Sequence, residues 1–147
     1  MTTKARSKNS VNPAKGKAFQ EGILKLVSKY FGVELEMEVP LGIGSPAKDH
    51  KFDFASADRK VIGECKNYCW TAGGNVPSAK MGFVNEAVFY LSFLPKGTKQ
   101  FVVLRRDFSK KRKESLAEYY FRTYRHLIGN VKVLEVDLKT KKVIEVK

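Results

Sequence analysis

Residues 50–68 read HKFDFASADRKVIGECKNY. The pattern is strand, tight turn, strand. Phe52 to Ala55 alternates apolar and polar, Ala57-Asp58-Arg59-Lys60 supplies a polar turn, and Val61-Ile62-Gly63 begins a second strand. Residues two apart on a strand share a face, so Glu64 and Lys66 point the same way, roughly 6.6 Å apart. Val61, Gly63 and Cys65 point the other way, toward a core. Asp53 has Phe52 and Phe54 on its opposite face. Paired antiparallel strands lie about 4.8 Å apart, so the hairpin can set Asp53 beside Glu64. The pattern predicts two carboxylates and an ammonium on one patch, backed by apolar side chains.

Such a patch suits a divalent metal and a phosphate. Mg²⁺ takes oxygen ligands, commonly one or two carboxylates with waters and phosphate oxygens. A lysine beside it can orient a water or accept its proton. The competing reading is plainer: Glu64 and Lys66 form an ion pair on a solvated sheet. Placement on two adjacent strands of a very basic chain favours the first.

Asp53 on one strand followed by Glu64-Cys65-Lys66 on the next resembles the PD-(D/E)xK nuclease superfamily. One departure is Phe52, where the motif often has proline. The resemblance covers about residues 16–106 in order of elements. It implies a restriction-endonuclease-like α/β fold of three layers, with a central mixed sheet flanked by helices. It also implies Mg²⁺-dependent hydrolysis of DNA phosphodiesters, leaving 5′-phosphate and 3′-hydroxyl ends, with Mn²⁺ able to substitute. Asp53 and Glu64 would hold the metal, helped by the Cys65 backbone carbonyl, and Lys66 would serve the attacking water. In the family an acid on the first helix often joins the site. Two positions compete here. Gln20 flanks the helix's apolar stripe and can reach the sheet edge, whereas Glu21 lies almost opposite the stripe. Both readings stay open. Members of the superfamily include restriction enzymes and Holliday-junction resolvases, many of them homodimers.

Composition supports a nucleic-acid partner. Lysine and arginine number 28 against 15 acids, a net charge of +13, which calls for a polyanion. A non-catalytic DNA-binding module would carry the same charge. No apolar run approaches a membrane-spanning length. Cys65 and Cys69 match no zinc spacing with His50 and His126, and lack a disulfide framework, which fits a reducing cytoplasm. At 147 residues with 43% apolar content, a single domain over residues 14–147 is expected. Residues 1–13 lack an apolar signal core and read as a flexible basic tail.

Pro13 to Phe31 reads as a helix, with Phe19, Ile23, Leu26, Val27 and Tyr30 as its stripe and Gly32 as its stop. Val33 to Val39 alternates as a half-buried strand, with Val33, Leu35, Met37 and Val39 on one face. Pro40 to Asp49 (PLGIGSPAKD) reads as a loop, and Lys48, His50 and Lys51 are its candidate phosphate contacts. Gly73, Gly74 and Pro77 mark a second loop, led by Trp70, which serves either as a base-stacking aromatic or as core.

Pro77 and Ser78 open a second helix running to Leu94, with Lys80 near its N-terminal amides as a candidate phosphate contact. That helix is apolar on nearly every side. Met81, Val84, Val88 and Leu91 form an inward stripe, and Phe83, Ala87, Tyr90 and Leu94 form a second face. A homodimer or the third helix would cover the second face. Gln100 to Leu104 is a strand in parallel crossover with the earlier one. Arg105 to Lys113 is a basic run. Ser115 to Glu118 is a capping box opening a third helix, and a terminal hairpin follows over 131–136 and 142–146.

Overall fold

The computed structural model describes residues 13–147; the tail read over the first dozen residues lies outside them. A six-stranded mixed sheet is flanked by three helices among the described residues. In chain order the elements are helix α1 (Pro13–Phe31), strands β1 (Leu35–Ile43), β2 (Lys48–Ser56) and β3 (Val61–Lys66), helix α2 (Ser78–Leu91), and strands β4 (Lys99–Arg105), β5 (Phe108–Ser109) and β6 (Glu114–Ser115). Helix α3 (Leu116–Tyr124) and strands β7 (Lys132–Asp137) and β8 (Lys142–Glu145) complete the chain.

Sheet order is β1-β2-β3-β4-β7-β8, and β5 pairs with β6 in a separate ribbon. The β3–β4 and β4–β7 pairs are parallel, and the β1–β2, β2–β3 and β7–β8 pairs are antiparallel. Two apolar clusters occupy the two faces. Phe19, Ile23 and Val27 of α1 pack with Leu35, Phe54, Val61, Phe101 and Leu134 on one side. Met81, Val84 and Leu91 of α2 pack with Leu116 and Tyr120 of α3 and with Phe52, Ile62 and Val102 on the other. The capping box at α3 is formed: Glu118 N–H donates to Ser115 Oγ at 3.1 Å, and Ser115 N–H donates to Glu118 Oε1 at 2.9 Å.

Four local expectations are corrected. Pro40 to Ile43 is strand, and β2 begins at Lys48, so the loop shrinks to residues 44–47. Pro40 is tolerated because β1 is an edge strand, where a missing N–H need not break a ladder. Phe52 and Phe54 do not share a face, and neither do Leu35 and Val39: Leu35 and Phe54 join the α1 side, Val39 and Phe52 the α2 side. The hairpin changes face between the Met37–Phe54 and Val39–Phe52 pairs, where Glu38 takes φ 55°. A positive φ outside glycine is uncommon and redirects the side chains beyond it. Asp53 stands at this crossover. Helix α2 ends at Leu91, with Ser92 to Leu94 in a turn, and Tyr30 is exposed rather than part of the α1 stripe.

Strand β3 is buried along both faces up to Cys65, because α2 covers the side that carries Glu64. Gly63 is required by its parallel neighbour. It stands in register with Phe101, and a Cβ there would fall within the Phe101 ring. That ring is fully buried and held by Phe31, at 4.8 Å between centroids, so it has no room to yield. Gly63→Ala is therefore expected to destabilise the fold by about 1–3 kcal/mol through overpacking. A urea midpoint equal to wild type would show that the β3–β4 contact relaxes freely.

Candidate active site at the β2–β3 hairpin

The two carboxylates predicted to meet do meet. Asp53 Oδ2 accepts a hydrogen bond from the Cys65 backbone N–H at 2.9 Å, which ties β2 to β3. Glu64 Oε2 lies 3.3 Å from the Asp53 backbone N–H, which donates to it. Glu64 is buried, and its pKa is pushed up to about 10. Burial is the largest cause, followed by the Asp53 carboxyl beside it; Lys66 acts in the opposite direction. Lys66 is half-buried at the end of β3.

His50 completes this group. Its Nε2 lies 2.7 Å from Glu64 Oε1, and its ring stacks on Tyr90 of α2, 3.9 Å between centroids and 13° between planes. Burial lowers its pKa, and Lys66 lowers it further, against the raising effect of Asp53 and Glu86. Both shifts favour the neutral forms of the pair that makes this short contact.

Helix α1 places its two candidates differently. Gln20 is buried and its Nε2 donates to the Asp53 backbone carbonyl at 2.9 Å, while Glu21 is exposed to solvent. Gln20 thereby braces the strand that presents Asp53.

The other candidates scatter. Lys48 and Lys51 are exposed on β2. Lys80 Nζ sits over the rings of Tyr68 and Phe83, 5.5 Å from each centroid. Trp70 is core: it is buried, its backbone N–H donates to Asp107 Oδ2 at 2.8 Å and its Nε1–H to the Asp107 carbonyl at 2.9 Å. Its ring is covered by Arg112, 4.9 Å from the centroid, so it offers no open face for a base.

Two acids were not singled out from the sequence. Glu86 is the only acid of α2 and acts on both His50 and Tyr68; the Tyr68 hydroxyl is pushed up to about 12, first by burial and then by Glu86. Its isolation in an apolar helix was the available signal. Glu135 lies buried in β7, one strand beyond β4 and in the same row as Lys66 and Leu104. Arg106 NH1 donates to Glu135 Oε2 at 3.0 Å, and Oε1 has no hydrogen-bond partner. A lone glutamate in the apolar run KVLEVD marks it in the sequence.

Among the described residues, no group of three or more His, Cys, Asp or Glu side chains is gathered as a metal cage. A hard cation asks for less: carboxylate and carbonyl oxygens, with waters completing the shell. Asp53 and Glu64 fit that requirement. They crowd two carboxyls together in a buried place, where a positive charge would offset the burial and the carboxyl neighbour that push the Glu64 pKa up.

No protein-family model and no curated protein matches the chain. Among solved structures, an XisH family protein from Nostoc punctiforme aligns over 88% of this chain and 98% of its own, at 12% identity and a TM-score of 0.50. SfsA from Pyrococcus furiosus, solved in complex with Ca²⁺, aligns over 90% of this chain and 61% of its own, at 14% identity and a TM-score of 0.42. The first likeness is one of fold, and the second is too distant to support more. No helix among the described residues is long and apolar enough to cross a membrane.

Proposed function

We propose that the protein is a metal-dependent deoxyribonuclease of the PD-(D/E)xK type, with a restriction-endonuclease-like fold. The observation that carries this reading is the convergence of Asp53 and Glu64 from adjacent strands, with Lys66 two residues further along β3. The net charge of +13 supports a DNA partner.

Asp53, Glu64 and the Cys65 carbonyl would hold Mg²⁺, which when bound acidifies a water and screens charge on the phosphate. Lys66 orients the attacking water or takes its proton. Gln20 fixes the β2 backbone at Asp53, and His50 fixes the Glu64 carboxyl, so both act as positioning residues. Lys48, Lys51 and Lys80 serve the phosphates. A two-fold homodimer would place two such sites across two strands. Of the second face read on α2, Ala87 and Leu94 are buried within the chain and Tyr90 is stacked on His50, so Phe83 alone is left exposed for such an interface.

Lys66→Ala tests the assignment. Cleavage of plasmid or branched DNA in Mg²⁺ is expected to disappear, while DNA binding in Ca²⁺ stays close to wild type, because one lysine among 28 basic residues carries a small share of the phosphate contacts. Collapsed binding with intact single-turnover chemistry would make Lys66 a docking residue. Wild-type protein that binds DNA but never cuts it would make this a non-catalytic binding module.

A further inference from the structure

A cleft of about 280 Å³ opens beside the carboxylate site, walled by Lys48, Asp49 and His50 of β2, by Phe89 and Tyr90 of α2 and by Phe93 in the turn after it. His50 belongs to both places: its Nε2 meets Glu64 at 2.7 Å while its ring stacks on Tyr90. Phe89 is 61% exposed and Phe93 48% exposed, and their rings meet edge to face at 5.1 Å. Exposed aromatics of this size are costly in water unless something covers them.

We propose that this cleft captures an unpaired DNA base next to the scissile phosphate. This rests on the nuclease reading and narrows it to substrates with a single-stranded or flipped nucleotide. The chemistry of the walls fits each part of a nucleotide. Phe89 and Phe93 offer ring faces for stacking. Asp49 can accept from an exocyclic amino group. Lys48 meets the phosphate of the same nucleotide. Continuity through His50 puts the captured nucleotide within reach of Asp53 and Glu64. A second copy of the chain is the other cover for this face. It would bring another +13 against a chain of the same charge, whereas a nucleic acid brings the opposite charge.

The test uses the full chain in EDTA, so that nothing is cleaved. The probes are a single-stranded oligodeoxynucleotide carrying one 2-aminopurine and the same sequence as a blunt duplex. Wild type is expected to change the 2-aminopurine fluorescence of the single strand. The double variant Phe89→Ala with Phe93→Ala is expected to lose roughly 5- to 100-fold in single-strand affinity with duplex affinity nearly unchanged. Phe89→Leu with Phe93→Leu keeps the apolar cover but no ring, and is expected to behave like the alanine pair.

An unchanged fluorescence overturns the proposal. So does an equal loss on both probes, or wild-type single-strand affinity in the leucine variant. A wild-type dimer that the alanine pair converts to monomer overturns it too, because the face is then an interface. Intact cleavage through Asp53 and Glu64 without stacking sinks the base site alone. Intact stacking in a protein that never cuts DNA sinks the nuclease alone.

Discussion

Glu64→Gln is expected to abolish DNA cleavage and at the same time to make the metal-free protein more stable. The two effects share one cause. Glu64 is a carboxyl held in a buried place beside Asp53, with its pKa raised from 4.5 to about 10. In the proposed nuclease the amide would lack the charge and one of the oxygens that would hold the metal, and several kcal/mol of charge stabilisation at the reacting phosphate corresponds to a loss of about 10³-fold or more in rate.

The stability effect has a defined sign. The folded pKa lies above the unfolded one, so the fold has its full share of stability from this group below pH 4.5. It loses that share as pH rises toward 10, at about 1.4 kcal/mol per pH unit while only the unfolded state ionises. Glutamine does not titrate. In EDTA, the melting temperature of Glu64→Gln should pull ahead of wild type progressively from pH 5 to pH 9. Melting curves that keep a constant separation across that range would show that Glu64 is neither buried nor crowded as described.

The second large effect is on binding. Affinity for DNA is expected to fall about 10³- to 10⁵-fold between 50 and 200 mM salt, the loss that follows when about six to ten phosphate contacts release condensed counterions. The cations available for these contacts include Lys48 and Lys51 on β2, Lys80 at the start of α2, and the exposed run Lys110-Lys111-Arg112-Lys113 between β5 and β6. Fluorescence anisotropy against a labelled oligonucleotide reads the slope. A flat response would assign the surplus charge to another polyanion.

What the sequence made legible were features with strong local signals. The bounds of α1 follow from an apolar stripe and a terminal glycine, and α3 from its capping box. The Asp53 and Glu64 juxtaposition follows from a short polar turn, which fixes hairpin register. The inward stripe of α2, Met81, Val84, Val88 and Leu91, is buried as its spacing implies. Features that depend on non-local packing were not legible. Pro40 and Gly42 read as loop because nothing local says that β1 lies at a sheet edge. The change of face near Asp53 turns on the positive φ of Glu38, a residue with no local preference for it. Glu86 and Glu135 looked like interruptions in apolar segments. Their roles appear only when α2 is laid over β2 and β3, and when β4 brings Arg106 to β7. Trp70 was ambiguous because an aromatic beside a glycine-rich loop serves equally as core or contact; its two hydrogen bonds to Asp107, 37 residues away, make it core.

The central claim is that Asp53 and Glu64 form a metal-dependent phosphodiesterase centre. The measurement that tests it most directly is cleavage of linear, supercoiled and four-way DNA side by side, by wild type and Asp53→Ala, in Mg²⁺ and in EDTA. The expected result is cutting of at least one substrate by wild type in Mg²⁺ only, and none by Asp53→Ala despite normal DNA binding. Cleavage that persists in EDTA, or in Asp53→Ala at the wild-type rate, would contradict it.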